Sequence, residues 1–130
     1  MRKIKFIVVG LFTTLVSCQQ PKEKTFEHLA EKYTAKCPII LGEGTRIDSM
    51  KYDSKTNTNT NFYTLTGTID NPDSIQKKRA DIEVSMIAAV KNSIELKEYK
   101  DFNTTIEYIY FSETTKKELF RIAIGPDLYK

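Results

Sequence analysis

A thiol beside an imidazole is the pairing in this chain best able to do covalent chemistry, because the imidazole can take the thiol proton and free a nucleophilic thiolate. The sequence offers one such pair, Cys37 with the sole histidine, His28. Both fall in one stretch of helical periodicity, which sets them roughly 13 Å apart along the axis. That is too far for proton transfer, so Cys37 reads as a buried structural residue and His28 as a solvent-facing one. No glycine-rich phosphate loop, zinc-binding helix motif or nucleophile elbow is present. Gly42-x-Gly44 reads as a turn, and no pair of carboxylates is set out by its spacing for acid–base work. A single histidine also leaves a transition metal short of ligands. No catalytic residue, metal or cofactor is therefore expected. Cys18 is of another kind, because it closes an apolar run.

Arg2, Lys3 and Lys5 precede the almost uninterrupted apolar stretch Phe6 to Val16, and Ser17 leads into Cys18. This is the three-part layout of a secretory signal, too short for an ordinary membrane-spanning helix. Leu15-Val16-Ser17-Cys18 resembles the lipobox of bacterial lipoproteins, whose cysteine is lipidated and becomes the first mature residue. The resemblance implies a signal peptide over residues 1–17, lipidation (palmitate included) at Cys18 and a place in the cell envelope. Gln19, where an aspartate would favour inner-membrane retention, implies the outer membrane, on its periplasmic or surface face. One acyl chain binds a bilayer marginally and several bind it lastingly, so Cys18 would anchor the chain without a spanning segment.

The formal charge of +3 belongs to the leader. Without Arg2, Lys3 and Lys5, acids and bases are equal in number, and the basic footprint of a nucleic-acid partner is missing. Lys77-Lys78-Arg79 reads as the solvated face of a helix. Once Cys18 is lipidated, Cys37 is the only thiol and no intramolecular disulfide can form. A mature chain of about 110 residues suffices for one domain held by packing alone.

The elements that must position any site follow from periodicity. Residues 18–24 read as a tether from the lipidated cysteine, and 25–130 as a single domain. Phe26, Leu29, Ala30, Tyr33 and Cys37 predict a short helix over Thr25 to Lys36, with Thr25 as N-cap and Pro38 ending it. Ile39 to Gly44 reads as a connector. Thr45 to Tyr52 predicts a strand with a bulge near Asp48-Ser49. Asp53 to Asn61 reads as a long turn, and Phe62 to Ile69 as a second strand. Asn71-Pro72-Asp73 opens a long helix, with Ile75, Arg79, Ile82, Met86, Ala89, Val90 and Ile94 on one face for over five turns. Thr104 to Phe111 and Glu118 to Ile124 are the last strands. Tyr63, Leu65 and Ile69 should join Ile106, Tyr108, Tyr110, Phe120, Ile122 and Ile124 under the helix. The fold class is α+β, ordered α-β-β-α-β-β, with a four-stranded antiparallel sheet packed on one long and one short helix.

Lys36-Cys37-Pro38-Ile39-Ile40 followed by Thr45-Arg46-Ile47-Asp48-Ser49 resembles a pattern in small lipoproteins of the Bacteroidota. Their chains run from a lipobox through a short helix and Cys-Pro into a Thr-Arg-Leu-Asp-Ser strand. The resemblance implies location and architecture but no activity, and this chain departs from it at Gly42-Glu43-Gly44, where an Asp-Glu pair is usual. That lineage also resembles exported proteins O-glycosylated at Asp-Ser/Thr-apolar triplets. The two triplets here, Asp73-Ser74-Ile75 and Asp48-Ser49-Met50, imply Ser74 and Ser49 as acceptors, with Ser74 the more accessible.

With helices on one side of the sheet, Phe62, Ile109, Phe111 and Leu119 alternate towards the other. As a contiguous patch they would suit a protein or glycan partner. The leading expectation is a membrane-anchored, non-enzymatic envelope lipoprotein that binds an envelope protein or glycan through this face. A second reading is a periplasmic inhibitor or immunity-type protein with a wedge built from Asp53 to Asn61. A third is a small hydrolase.

Overall fold

The computed structural model describes residues 21–130, so the leader, Cys18 and the next two residues of the expected tether lie outside the described residues. Helix α1 spans Lys22–Ala35, three residues earlier than expected. Thr25 therefore lies inside it rather than capping it, and Lys22 to Lys24 belong to the helix, not to a tether. Glu23 in the first turn favours this start, beside the positive end of the helix dipole.

The described residues form a five-stranded sheet in the order β1-β2-β3-β4-β5, with four helices. The strands are β1 (Ile39–Ile40), β2 (Thr45–Asp53), β3 (Thr58–Leu65), β4 (Thr105–Ser112) and β5 (Glu118–Ile124). The fifth strand is the apolar half of the expected connector, where Ile39 and Ile40 pair with Ile47 and Arg46. The sheet is not purely antiparallel, because β3 and β4 run parallel. Helix α2, Pro72–Asn92, explains why. It is about 30 Å long, carries the chain back along the sheet, and makes β4 start at the same end as β3.

Further corrections concern where elements begin and end. The Asp53–Asn61 tract is not a long tip, since β2 reaches Asp53 and β3 begins at Thr58. Alternating threonines suit a strand, and Asn61 Nδ2 donates to the Glu107 carbonyl on β4 (3.2 Å). Ile69 sits in a 3-10 turn, exposed, rather than on the strand face. Helix α2 stops at Asn92, and Lys97–Asp101 forms a separate helix α3. Ser93 Oγ accepts from the Leu96 N–H (3.3 Å), which satisfies the start of the new turn. The tail residues Pro126–Tyr129 form α4, and the Tyr129 hydroxyl donates to the Thr104 carbonyl (2.8 Å). The bulge foreseen in β2 lies between Ile47 and Ser49.

All helices cover one face. Phe26 and Ala30 of α1 pack on Tyr52, while Val90 and Tyr129 pack on Ile106, Phe120, Ile122 and Ile124. Tyr99 of α3 touches both clusters and joins them. Along the outer edge of β2, Thr34 Oγ1 donates to the Met50 carbonyl (2.8 Å) and accepts from the Met50 N–H (2.9 Å). One hydroxyl thereby closes backbone groups that would otherwise offer a pairing edge.

Candidate functional site

The expected binding face is open: Phe62 neighbours Ile109, and Phe111 follows on β4. Its apolar area is small. Ile109 is only 3% exposed, and Phe62 and Phe111 are half-buried. Leu119 does not complete it, because a bulge sets Glu118 opposite Phe111 and Leu119 packs towards the helix-side cluster. Polar ladders break up what remains. Thr60 Oγ1 donates to Glu107 Oε1 (3.0 Å), and Arg121 lies 3.7 Å from Glu107 and 2.7 Å from Glu118. The face holds a shallow concavity of about 440 Å³ among Lys51, Thr58, Thr60, Phe62 and Arg121.

The helix-covered face holds the more distinctive feature. Helix α1 lies over β2 and α2 over β5, so β3 and β4 form a floor between them. Strands repeat every ~4.8 Å, and the three steps from β2 to β5 exceed the 8–10 Å at which helices pack. At the end where α1 starts, Tyr99 fills the gap. Towards the other end the gap is open, as a cleft of about 210 Å³ lined by Leu65, Ile75, Ile82, Met86, Tyr110 and Phe120. Ile82 and Met86 also line a shallower hollow with Lys78, Asp81 and Ser85 on α2. Arg79 caps Phe120, its guanidinium 5.0 Å from the ring centroid and its Nε donating to Glu83 (3.1 Å).

Tyrosines pave the floor. Tyr63 stacks on Tyr110 at 4.8 Å and meets Tyr108 at 6.1 Å. The hydroxyls of Tyr52 and Tyr129 have partners inside the protein. Those of Tyr63, Tyr108 and Tyr110 have none among the described residues and reach solvent. Burial pushes all three upward as acids, Tyr108 to about 12, and the neighbouring ring of Tyr110 adds to the rise at Tyr63 and Tyr108. Tyr33 of α1 lies close enough to contribute at Tyr63.

The remaining candidates are scattered. Ser74 sits in the first turn of α2, its N–H donating to Asn71 Oδ1 (3.0 Å), and the next residue, Ile75, lines the cleft. Ser49 is half-buried at the β2 bulge. Cys37 Sγ donates to the Tyr33 carbonyl (3.4 Å), and burial pushes the thiol up, with Asp48 adding to the rise. His28 is exposed on α1 beside Lys24, Glu27 and Glu31, so the structure does not bring it to Cys37. Arg46 and Asp48 do pair (2.8 Å), and Arg46 also reaches Glu113 (3.1 Å), tying β2 to the β4–β5 turn. Among the described residues no group of acids, His and Cys could hold a metal ion, and no helix is long and apolar enough to cross a membrane.

Residues 20–120 match DUF8479, described as a domain of unknown function. The chain belongs to that family. No curated protein matches it in sequence. Two solved structures share its fold. One is a candidate secreted protein of Pseudomonas aeruginosa, 9% identical, with a TM-score of 0.71, covering 83% of this chain and 92% of the other. The other is the pilotin EpsS of the Vibrio vulnificus type 2 secretion system, 9% identical, with a TM-score of 0.62, covering 83% and 91%. At that identity the likeness is one of fold. The DUF8479 chain thus pairs an open, polar-laddered sheet face with an apolar cleft over a tyrosine floor.

Sequence reading assigned every one of the cleft residues to the core. The missed signal is in α2, which carries five charged residues between Lys77 and Glu83. Of its apolar residues only Val90 becomes buried.

Proposed function

We propose that this member of DUF8479 is a non-enzymatic lipoprotein of the cell envelope, anchored through Cys18, that binds an envelope protein in the cleft between α1 and α2. The observation that carries the reading is the open apolar cleft itself, with Met86 in its wall and Tyr110, stacked on Tyr63, in its floor. Tyrosine and methionine are enriched at protein interfaces, where a ring gives area and its hydroxyl a hydrogen bond. A volume near 210 Å³ falls below the usual range of small-molecule pockets, ~300–1,000 Å³. It suits one or two inserted side chains of a larger partner. The leader pattern, the similarity to the Bacteroidota lipoproteins, and a fold shared with a candidate secreted protein and a type 2 secretion pilotin support the envelope setting. An outer-membrane position rests on Gln19.

The competing readings lose their footing. An inhibitor wedge from Asp53 to Asn61 needs a protruding loop, and those residues are mostly strand. A hydrolase needs convergent carboxylates in a pocket, and no carboxylate lines the cleft.

The test compares the lipidated full chain with its Met86→Glu and Phe111→Arg variants as bait for solubilised envelope. A charge in the cleft should weaken capture of the stoichiometric partner at least about 30-fold, as for an interface hot spot, while Phe111→Arg retains it. Loss with Phe111→Arg alone would move the site to the open face. Equal retention by both variants would remove the cleft from the account.

A further inference from the structure

The end of the domain where α1 begins also carries an exposed isoleucine. Ile94, in the link between α2 and α3, is 87% exposed, more than any other large apolar residue described. Its carbonyl accepts from the Lys97 N–H (3.1 Å), so it sits one turn before Glu98. Glu98 in turn pairs with Lys22, the first residue of α1 (3.5 Å). One turn further along α1, Phe26 stacks on Tyr99, the neighbour of Glu98, at 4.3 Å. Ile94 is thus held beside the point where the described chain starts.

Sequence length then limits where the anchor can be. Four Cα steps separate residue 18 from Lys22, and each spans at most about 3.6 Å. Whatever path they take, a lipid on Cys18 lies within roughly 14 Å of the α1 start. That is less than half the ~30 Å thickness of a bilayer's hydrocarbon core, so such an anchor would hold the α1-start end of the domain at the headgroups.

We propose that this end is a membrane-contact surface in which Ile94 enters the lipid interface beside the anchor. The contact deepens the lipoprotein reading and rests on lipidation of Cys18. An isoleucine exposed to water loses little by being there alone, but an isoleucine held at a bilayer surface is placed to insert. Lysines and acids alternate at this end, Lys22 and Lys24 with Glu23 and Glu27, and Lys97 with Glu95 and Glu98, so the contact proposed is apolar rather than electrostatic. The geometry also orients the cleft. From Ile106 at this end to Tyr110 at the cleft, β4 rises about 13 Å, so the cleft opens towards the far end, away from the bilayer.

The chain contains no tryptophan, so one introduced tryptophan reports on its own position. Lipidated full-length Ile94→Trp and Lys116→Trp are reconstituted into phosphatidylethanolamine and phosphatidylglycerol vesicles with brominated acyl chains. Lys116, in the β4–β5 turn, is exposed at the far end. Ile94→Trp should shift to the blue and lose about half its emission, as expected of an indole at the interface, while Lys116→Trp keeps a water-exposed spectrum. A chain that floats with the vesicles while Ile94→Trp stays unquenched would overturn the contact and leave the anchor standing. Equal quenching at both positions would also overturn it. A chain that does not float with the vesicles would overturn the anchor reading, and the contact with it.

Discussion

Phe26→Ala should remove about 3–5 kcal/mol of folding stability, a large part of the 5–15 kcal/mol that holds a domain together. Phe26 is fully buried. Its ring stacks on Tyr99 at 4.3 Å and meets Tyr52 and Phe102 edge-on at 5.3 and 5.7 Å. Each such pair contributes about 0.5–1.5 kcal/mol beyond the area it buries. Among the described residues no other ring of α1 meets aromatic rings of both β2 and α3, and Cys37 is a free thiol, so no disulfide there limits the damage. Urea unfolding of the two proteins measures the difference. A loss below about 1 kcal/mol, an ordinary surface effect, would show that α1 is not docked as described.

Alkaline pH should unfold the protein through the same sheet face that carries the cleft. Tyr108 is held in its neutral form to about pH 12 when folded, against an ordinary tyrosine value near 10, chiefly because burial disfavours the phenolate. Below pH 10 the hydroxyl is protonated in both states, and its contribution to stability is present in full. Between about 10 and 12 the unfolded chain releases the proton and the folded chain keeps it, so stability falls as pH rises. At 1.36 kcal/mol per unit, Tyr108 alone accounts for about 2–3 kcal/mol across that window. Tyr63 and Tyr110 shift in the same direction. Chemical unfolding at pH 9 and pH 11.5, read against phenolate absorbance, checks this. Tyr108→Phe, which deletes a hydroxyl with no partner among the described residues, should flatten the decline and leave stability at pH 7 nearly unchanged. A decline as steep in the variant would mean that Tyr108 ionises as freely in the folded chain as in the unfolded one.

The sequence made the elements legible and their arrangement much less so. The long helix was plain from Asn71-Pro72-Asp73 and the apolar repeat, because capping and amphipathicity are local. The parallel pairing of β3 with β4 was not, since it depends on how far α2 carries the chain back. Asn59 and Asn61 hid the start of β3, because such residues mark turns unless a neighbouring strand satisfies them, as the Glu107 carbonyl does for Asn61. Periodicity also placed Ile75, Ile82, Met86 and Tyr110 correctly on the inner face. It could not show that α1 and α2 stand too far apart to close over them, because helix separation is a tertiary quantity. Hence periodicity points to the open-face residues Phe62, Ile109 and Phe111 and assigns the cleft lining to the core.

The measurement that bears most directly on the cleft is photocrosslinking in intact cells, with a benzophenone amino acid at position 82 or 111 of the lipidated chain. The two positions lie on opposite faces of the sheet, one in the cleft wall and one on the open strands. A discrete, partner-sized adduct from position 82 and none from 111 is the predicted result. An adduct from 111 with none from 82 would contradict the account and return the working surface to the open face.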